Sequence, residues 1–180
     1  VNGPNVDVFA GTEKLALNLS YGELTGYLQV KSSDNKIIVK SGDTIVVQKR
    51  VAITDGQKYT VIIGGSLENL QIFIYEDRSG CSKNGYSYLR FIHSVYAAPS
   101  VDVYLNNVKV FTDIKYGQSS SYKPVKLEVA SDPESFKGKK VEVYVSGTKN
   151  KVLGPERIYV VSGGIYTLFA VGNLDDNVIA

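Results

Sequence analysis

The sequence predicts an all-β protein made of two tandem immunoglobulin-like antiparallel β-sandwich domains. Three observations carry that expectation. One stretch of 27 residues occurs twice without a gap, apolar residues alternate through short runs rich in β-branched and aromatic types, and turn residues punctuate the chain every eight to twelve positions. No stretch keeps a helical period over a dozen residues.

The repeat sets the organisation. "PNVDVFAGTEKLALNLSYGELTGYLQV" (4–30) faces "PSVDVYLNNVKVFTDIKYGQSSSYKPV" (99–125), with nine of 27 positions identical. Ordinary residue usage would give roughly two. Further on, "GQKYTVIIGGSL" (56–67) faces "GGIYTLFAVGNL" (163–174), at an offset of 107 rather than 95. The second copy therefore holds about twelve extra residues, placed near 130–140 around "ASDPESFKGKK". At 180 residues the chain suits two modules of about ninety, each able to bury a core without cross-links.

Taken in order, the first module covers residues 1–79. Its strands are read at "NVDVF", "KIIVKSG", "TIVVQKRVAIT" and "YTVIIGG", with turns at "AGTE", "KSGD" and "TDGQ". The boundary falls in "EDRSGCSKNG" (76–85), which is polar and interrupts the alternation. The second module, 86–180, opens with "YSYLRFIHS", a strand that the first module lacks before "VNGPNVDV". An open sheet edge is expected there, one that another strand could cover. Next come "VDVY" and "VKVF", joined by Asn106-Asn107, a pair suited to a two-residue hairpin because Asn tolerates positive φ. "VEVYVSG" and "YTLFAVG" complete the module.

Composition narrows the function classes. The charge is +2, from 20 basic and 18 acidic residues, with −1 over 1–79 and +3 over 80–180. Nucleic-acid binding needs many phosphate neutralisations and is not expected. No apolar run approaches a membrane span. The chain starts at Val1 and contains no Met, which points to a processed or trimmed form and leaves its address unread. Cys81 is the only cysteine, in a polar stretch, and reads as an incidental exposed thiol with no cationic neighbour to activate it.

The repeated residues have two readings each. In "NVDVF" and "SVDVY" the valines share one face, while Asp7 and Asp102 point the other way. Each aspartate is either a metal ligand or general acid, or an acceptor that anchors the first hairpin; the second is preferred, since no other carboxylate or His recurs nearby. Tyr21-Gly22 and Tyr116-Gly117 mark strand corners, with the ring on the core and the hydroxyl capping a loop. Tyr27 and Tyr122 are expected to pack on the same sheet, sugar stacking being the alternative. His93 is the only His, too few for a zinc site of ordinary ligand count. No nucleophile triad, phosphate loop or dinucleotide fingerprint is present. Asp175-Asp176 lack the spacing of a calcium loop. Lys137, Lys139, Lys140, Lys149, Lys151 and Arg157 form a basic cluster that reads as a solvated face, with an acidic wall polymer as the functional alternative.

Arg90, Phe91, His93, Ala98, Pro99, Val101, Asp102, Val103, Tyr104, Tyr116, Gly117 and Tyr122, followed by Tyr166, Thr167, Ala170, Val171 and Gly172, resemble a bacterial family labelled domain of unknown function 4397. The first copy matches more loosely at Pro4, Val6, Asp7, Val8, Tyr21, Gly22, Tyr27, Tyr59, Thr60 and Val61. Val95-Tyr96 replaces the family's serine-proline step. The resemblance implies tandem β-sandwiches on secreted or cell-envelope proteins and carries no catalytic residues.

The expected role is therefore a non-enzymatic, extracellular or surface module with a structural, adhesive or protein-interaction role. A carbohydrate-binding module using exposed tyrosines is the alternative. Expected partners are a wall polymer, a glycan or another envelope protein; no cofactor, metal, catalytic residue, nucleic acid or membrane span is expected.

Overall fold

The computed structural model describes residues 3–31, 33, 36–66, 68–127, 138–173 and 178–179. The chain divides into two compact units, Val1–Ser79 and Gly80–Ala180. Among the described residues every regular element is a strand. Most of the insertion near 130–140, with Lys137, lies outside the described residues, as does Asp175-Asp176.

In the first unit, β1 (Val6–Ala10), β2 (Glu13–Leu19), β3 (Lys36–Ser41) and β4 (Thr44–Arg50) form one sheet in the order β2-β1-β3-β4. A hairpin of β5 (Tyr59–Ser66) and β6 (Asn69–Glu76) forms the second. Alternation in "KIIVKS" buries Ile37 and Val39 on one face, where they meet Val8, Ala10 and Ile72.

The second unit contains β7 (Tyr86–Tyr96), β8 (Val101–Leu105), β9 (Val108–Ile114), β10 (Gln118–Ser119), β11 (Lys123–Lys126), β12 (Lys139–Val145), β13 (Lys151–Ile158), β14 (Ile165–Asn173) and β15 (Val178–Ile179). One sheet runs β13-β12-β8-β9; the other has β7 at its centre, flanked by β10 and β11 on one side and by β14 then β15 on the other. Leu89, Phe91 and Val95 of β7 project into the space between the sheets. They meet Val101, Val103 and Leu105 of β8, Phe111 of β9, and Val141 and Val143 of β12. Each such side chain contributes about 1.5–3 kcal/mol by leaving water.

The antiparallel sandwich is as the alternation required, but the strand order is not that of an immunoglobulin domain. There the second and third strands lie in opposite sheets. Here β8 and β9 are hydrogen-bonded neighbours, Asn106-Asn107 forming the turn at φ 47° and 66°. Equally unforeseen, β7 and β14 run parallel over nine residue pairs, from Tyr88↔Ile165 to Tyr96↔Asn173. A strand buried on both faces and paired on both edges cannot show clean alternation, and "YSYLRFIHSVY" does not.

The copies correspond strand for strand: β1 to β8, β2 to β9, β3 to β12, β4 to β13 and β5 to β14. Among the described residues nothing in the first unit takes the place of β7.

Candidate functional site

The polar residues that recur or stand out gather at two places in the second unit. The first is the Asp102 carboxylate. Strand alternation turns it away from the core, yet it is only 2% exposed, because the β12–β13 turn and the end of β9 close over it. Oδ1 accepts from the Asp113 N–H at 2.9 Å and the Ser146 hydroxyl at 2.9 Å; Oδ2 accepts from Lys109 Nζ at 2.7 Å and the Gly147 N–H at 3.3 Å. Burial alone would raise this carboxyl, but Lys109 and the three further donors together hold it well below the usual carboxylate range. The Lys109 ammonium is raised in turn by its bond to Asp102. With its acceptor positions filled by internal donors, the carboxylate ties β9 and the β12–β13 turn to β8, as the hairpin-anchoring reading required.

Asp7 repeats the device in smaller form. Its Oδ1 accepts from the Asn18 N–H at 2.8 Å, the position equivalent to Asp113. Asn18 and Asp113 both have left-handed backbone, φ 52° and 51°, at the irregular end of the hairpin register.

The second place surrounds β7. His93 is 1% exposed; the Val95 N–H donates to Nδ1 at 3.3 Å, so Nε2 carries the proton given to the Pro99 carbonyl at 3.0 Å. Burial lowers its pKa, partly offset by the bond to Pro99. Its edge meets Tyr116, centroids 6.5 Å apart, and Tyr116 packs edge-on against Tyr96 at 5.7 Å. Burial and the neighbouring Tyr96 push the Tyr116 phenol up to about 12. The Gly117 N–H, at φ 74°, closes the corner on the His93 carbonyl at 2.7 Å. Beside His93 lies a cavity of about 30 Å³ walled by Val95, Val101, Val143, Leu153 and Ala170, room for about one water.

On the opposite face of β7, Arg90 is 2% exposed. Its Nε donates to Thr167 Oγ1 at 2.9 Å and its guanidinium lies 4.8 Å from the Tyr122 ring. Tyr122 thus packs on its sheet as expected, whereas Tyr21 and Tyr27 are 49% and 67% exposed, with no counterpart of β7 beneath them among the described residues.

The basic cluster is partly neutralised. Glu142, 6% exposed, bonds Lys140 at 2.9 Å and Lys151 at 3.0 Å, and both lower its pKa. Lys149 is exposed. Cys81 is a free, exposed thiol. Among the described residues no group of three or more His, Cys, Asp or Glu could hold a metal ion.

Sequence reasoning missed Glu142 and the Ser146-Gly147 contribution. A single acid inside "KKVEVYV", on the strand face opposite three valines, was the available signal for the first.

No curated protein matches this chain. A family model described as domain of unknown function (DUF4397) matches residues 1–94 and again 87–180. With both matches together spanning the whole length, the chain belongs to the DUF4397 family and carries two copies of its domain.

Proposed function

We propose that the protein is a non-enzymatic, secreted or cell-surface module with a structural, adhesive or protein-interaction role in a bacterial envelope. One observation carries the reading. The polar groups that recur between copies are used inside the fold: Asp7 and Asp102 accept from hairpin backbone, and the Tyr122 ring lies against the Arg90 guanidinium. His93 is likewise engaged on both ring nitrogens. A protein built this way presents its outer surface to partners, not a reaction centre.

The exposed rings of Tyr21, Tyr27 and Tyr159 support carbohydrate binding as a second reading. One experiment separates the two. Labelled protein is mixed with intact bacterial cells and with cells stripped of surface protein by protease. Saturable binding lost after protease supports the protein-interaction role. Binding that survives protease and disappears in Tyr27→Ala or Tyr159→Ala supports the glycan reading. Binding no stronger than that of an unrelated β-sandwich overturns both.

A further inference from the structure

The outer face of the β2-β1-β3-β4 sheet, opposite the core, carries a concentration of cations. Alternation buries Ile37 and Val39 and turns Lys36, Ile38 and Lys40 of β3 outward. Lys36 lies opposite Arg50 of β4, and Ile38 lies between Phe9 of β1 and Gln48 of β4. Lys14 and Lys40 are 5.6 and 5.1 Å from the Phe9 centroid. Like charges directly opposite one another on a sheet are destabilising, so the Lys36–Arg50 pair works against the fold. The acid on this face, Asp7, lies opposite Lys40 and accepts the Asn18 N–H. Among the described residues no acid pairs with Lys36 or Arg50.

The second unit repeats the pair and shows what answers it. Lys140 of β12 lies opposite Arg157 of β13, at the places of Lys36 and Arg50. Tyr104, with Lys109 5.6 Å from its centroid, takes the places of Phe9 and Lys14. The difference is at one position. Where β3 has Ile38 opposite Phe9, β12 has Glu142 opposite Tyr104. The Glu142 carboxylate lies 2.9 Å from Lys140 Nζ and 3.0 Å from Lys151 Nζ. The second unit thus meets its cations with a carboxylate of its own. The first keeps the cations and has an apolar side chain in that place.

We propose that the outer face around Ile38 binds an acidic polysaccharide, a uronate carboxylate of the polymer taking the place that Glu142 holds in the second unit. Arg50 presents a planar fork matched to a carboxylate, and Lys36 adds a point charge beside it. Half-buried Ile38 is an apolar floor for the C–H face of a sugar ring, and the exposed Gln48 amide next to it serves hydroxyls as donor and acceptor. Lys14 and Lys40 stand ready for a further carboxylate along the polymer. A nucleic acid suits this face poorly. Its one ring, Phe9, is already met by two ammonium groups, so successive bases have nothing to stack on. The proposal rests on the glycan reading and moves its contact from the exposed tyrosines to a sheet face.

The test titrates fluorescent decagalacturonate with the 180-residue chain. Its fully methyl-esterified form, polyglutamate and oligodeoxythymidylate of equal length are the comparisons. Anisotropy should show saturable binding of decagalacturonate, weaker by about tenfold or more for the uncharged ester. Lys36→Gln combined with Arg50→Gln should weaken binding by a similar factor, about tenfold. Lys140→Gln should leave it unchanged. Ile38→Glu should abolish it, because the installed carboxylate occupies the site as Glu142 does, and its melting midpoint should equal or exceed the parent's. Absence of decagalacturonate binding overturns the inference. Equal binding of polyglutamate or oligodeoxythymidylate overturns it in favour of a peptide or nucleic-acid partner. Binding that survives both the double variant and Ile38→Glu also overturns it. If protease-resistant cell binding persists beside any of these failures, the glycan reading stands with another contact; if it is absent, the reading itself falls.

Discussion

The Asp102 carboxylate accepts the Asp113 N–H at 2.9 Å, and ninety-five residues earlier Asp7 accepts the Asn18 N–H at 2.8 Å. In both copies the donor has a left-handed backbone that few residues adopt unaided. The acid therefore fixes a bulge, and through it the twist of the first hairpin.

Asp102→Ala should destabilise the second unit by about 3 kcal/mol, because it leaves the Asp113 and Gly147 N–H groups and the Ser146 hydroxyl without their acceptor. Asp7→Ala, losing one bond at a half-buried site, should cost about 1 kcal/mol. Thermal melts read the difference at roughly 4–8 °C per kcal/mol for domains of this size. Equal effects in the two variants would refute the anchoring account.

His93 makes the second unit sensitive to mild acid. Its folded pKa lies below the ordinary value of 6.5, so the unfolded chain takes up the proton first. Stability should be flat above that pH and fall as pH drops beneath it. Urea midpoints between pH 7.5 and 5 check this, and His93→Gln should flatten the slope.

Tyr116 acts at the other end of the scale. Its phenol is held protonated to about 12 in the fold, against an ordinary 10.0. The stability it contributes is complete below pH 10 and is lost as pH rises toward 12. Tyr116→Phe should lessen the alkaline loss, followed by tyrosinate absorbance alongside circular dichroism.

Two glycines of the first unit should respond very differently to alanine. At Gly65, φ 116°, a Cβ would collide with the Asn69 carbonyl oxygen across the β5–β6 hairpin. At Gly42, φ 58°, it would meet nothing within 4 Å. Gly42→Ala should cost about 1 kcal/mol of backbone strain alone, whereas Gly65→Ala should disrupt the hairpin. Chemical-denaturation midpoints of the two variants give the comparison.

Local pattern made much of this legible in advance. The Pro-x-Val-Asp-Val repeat located both anchored hairpins, and Asn106-Asn107 located a turn, because each depends on neighbours in sequence. The parallel β7–β14 pair was not legible, since its partners lie 77 residues apart, as Arg90 and Thr167 do. The contrast between Tyr122 and its exposed counterpart Tyr27 was hidden too. Identical residues diverge in their surroundings: β7 lies beneath Tyr122, and no equivalent strand lies beneath Tyr27 among the described residues.

The parallel pairing of β7 with β14 carries a kinetic consequence. The central strand of the second sheet is synthesised first in its unit and gains its longest partner last, after the other principal strands have left the ribosome. Loop closure over such a span is slow, and high contact order goes with slow folding. Completion of this unit should therefore lag behind assembly of the first unit's hairpins, whose contacts are mostly local.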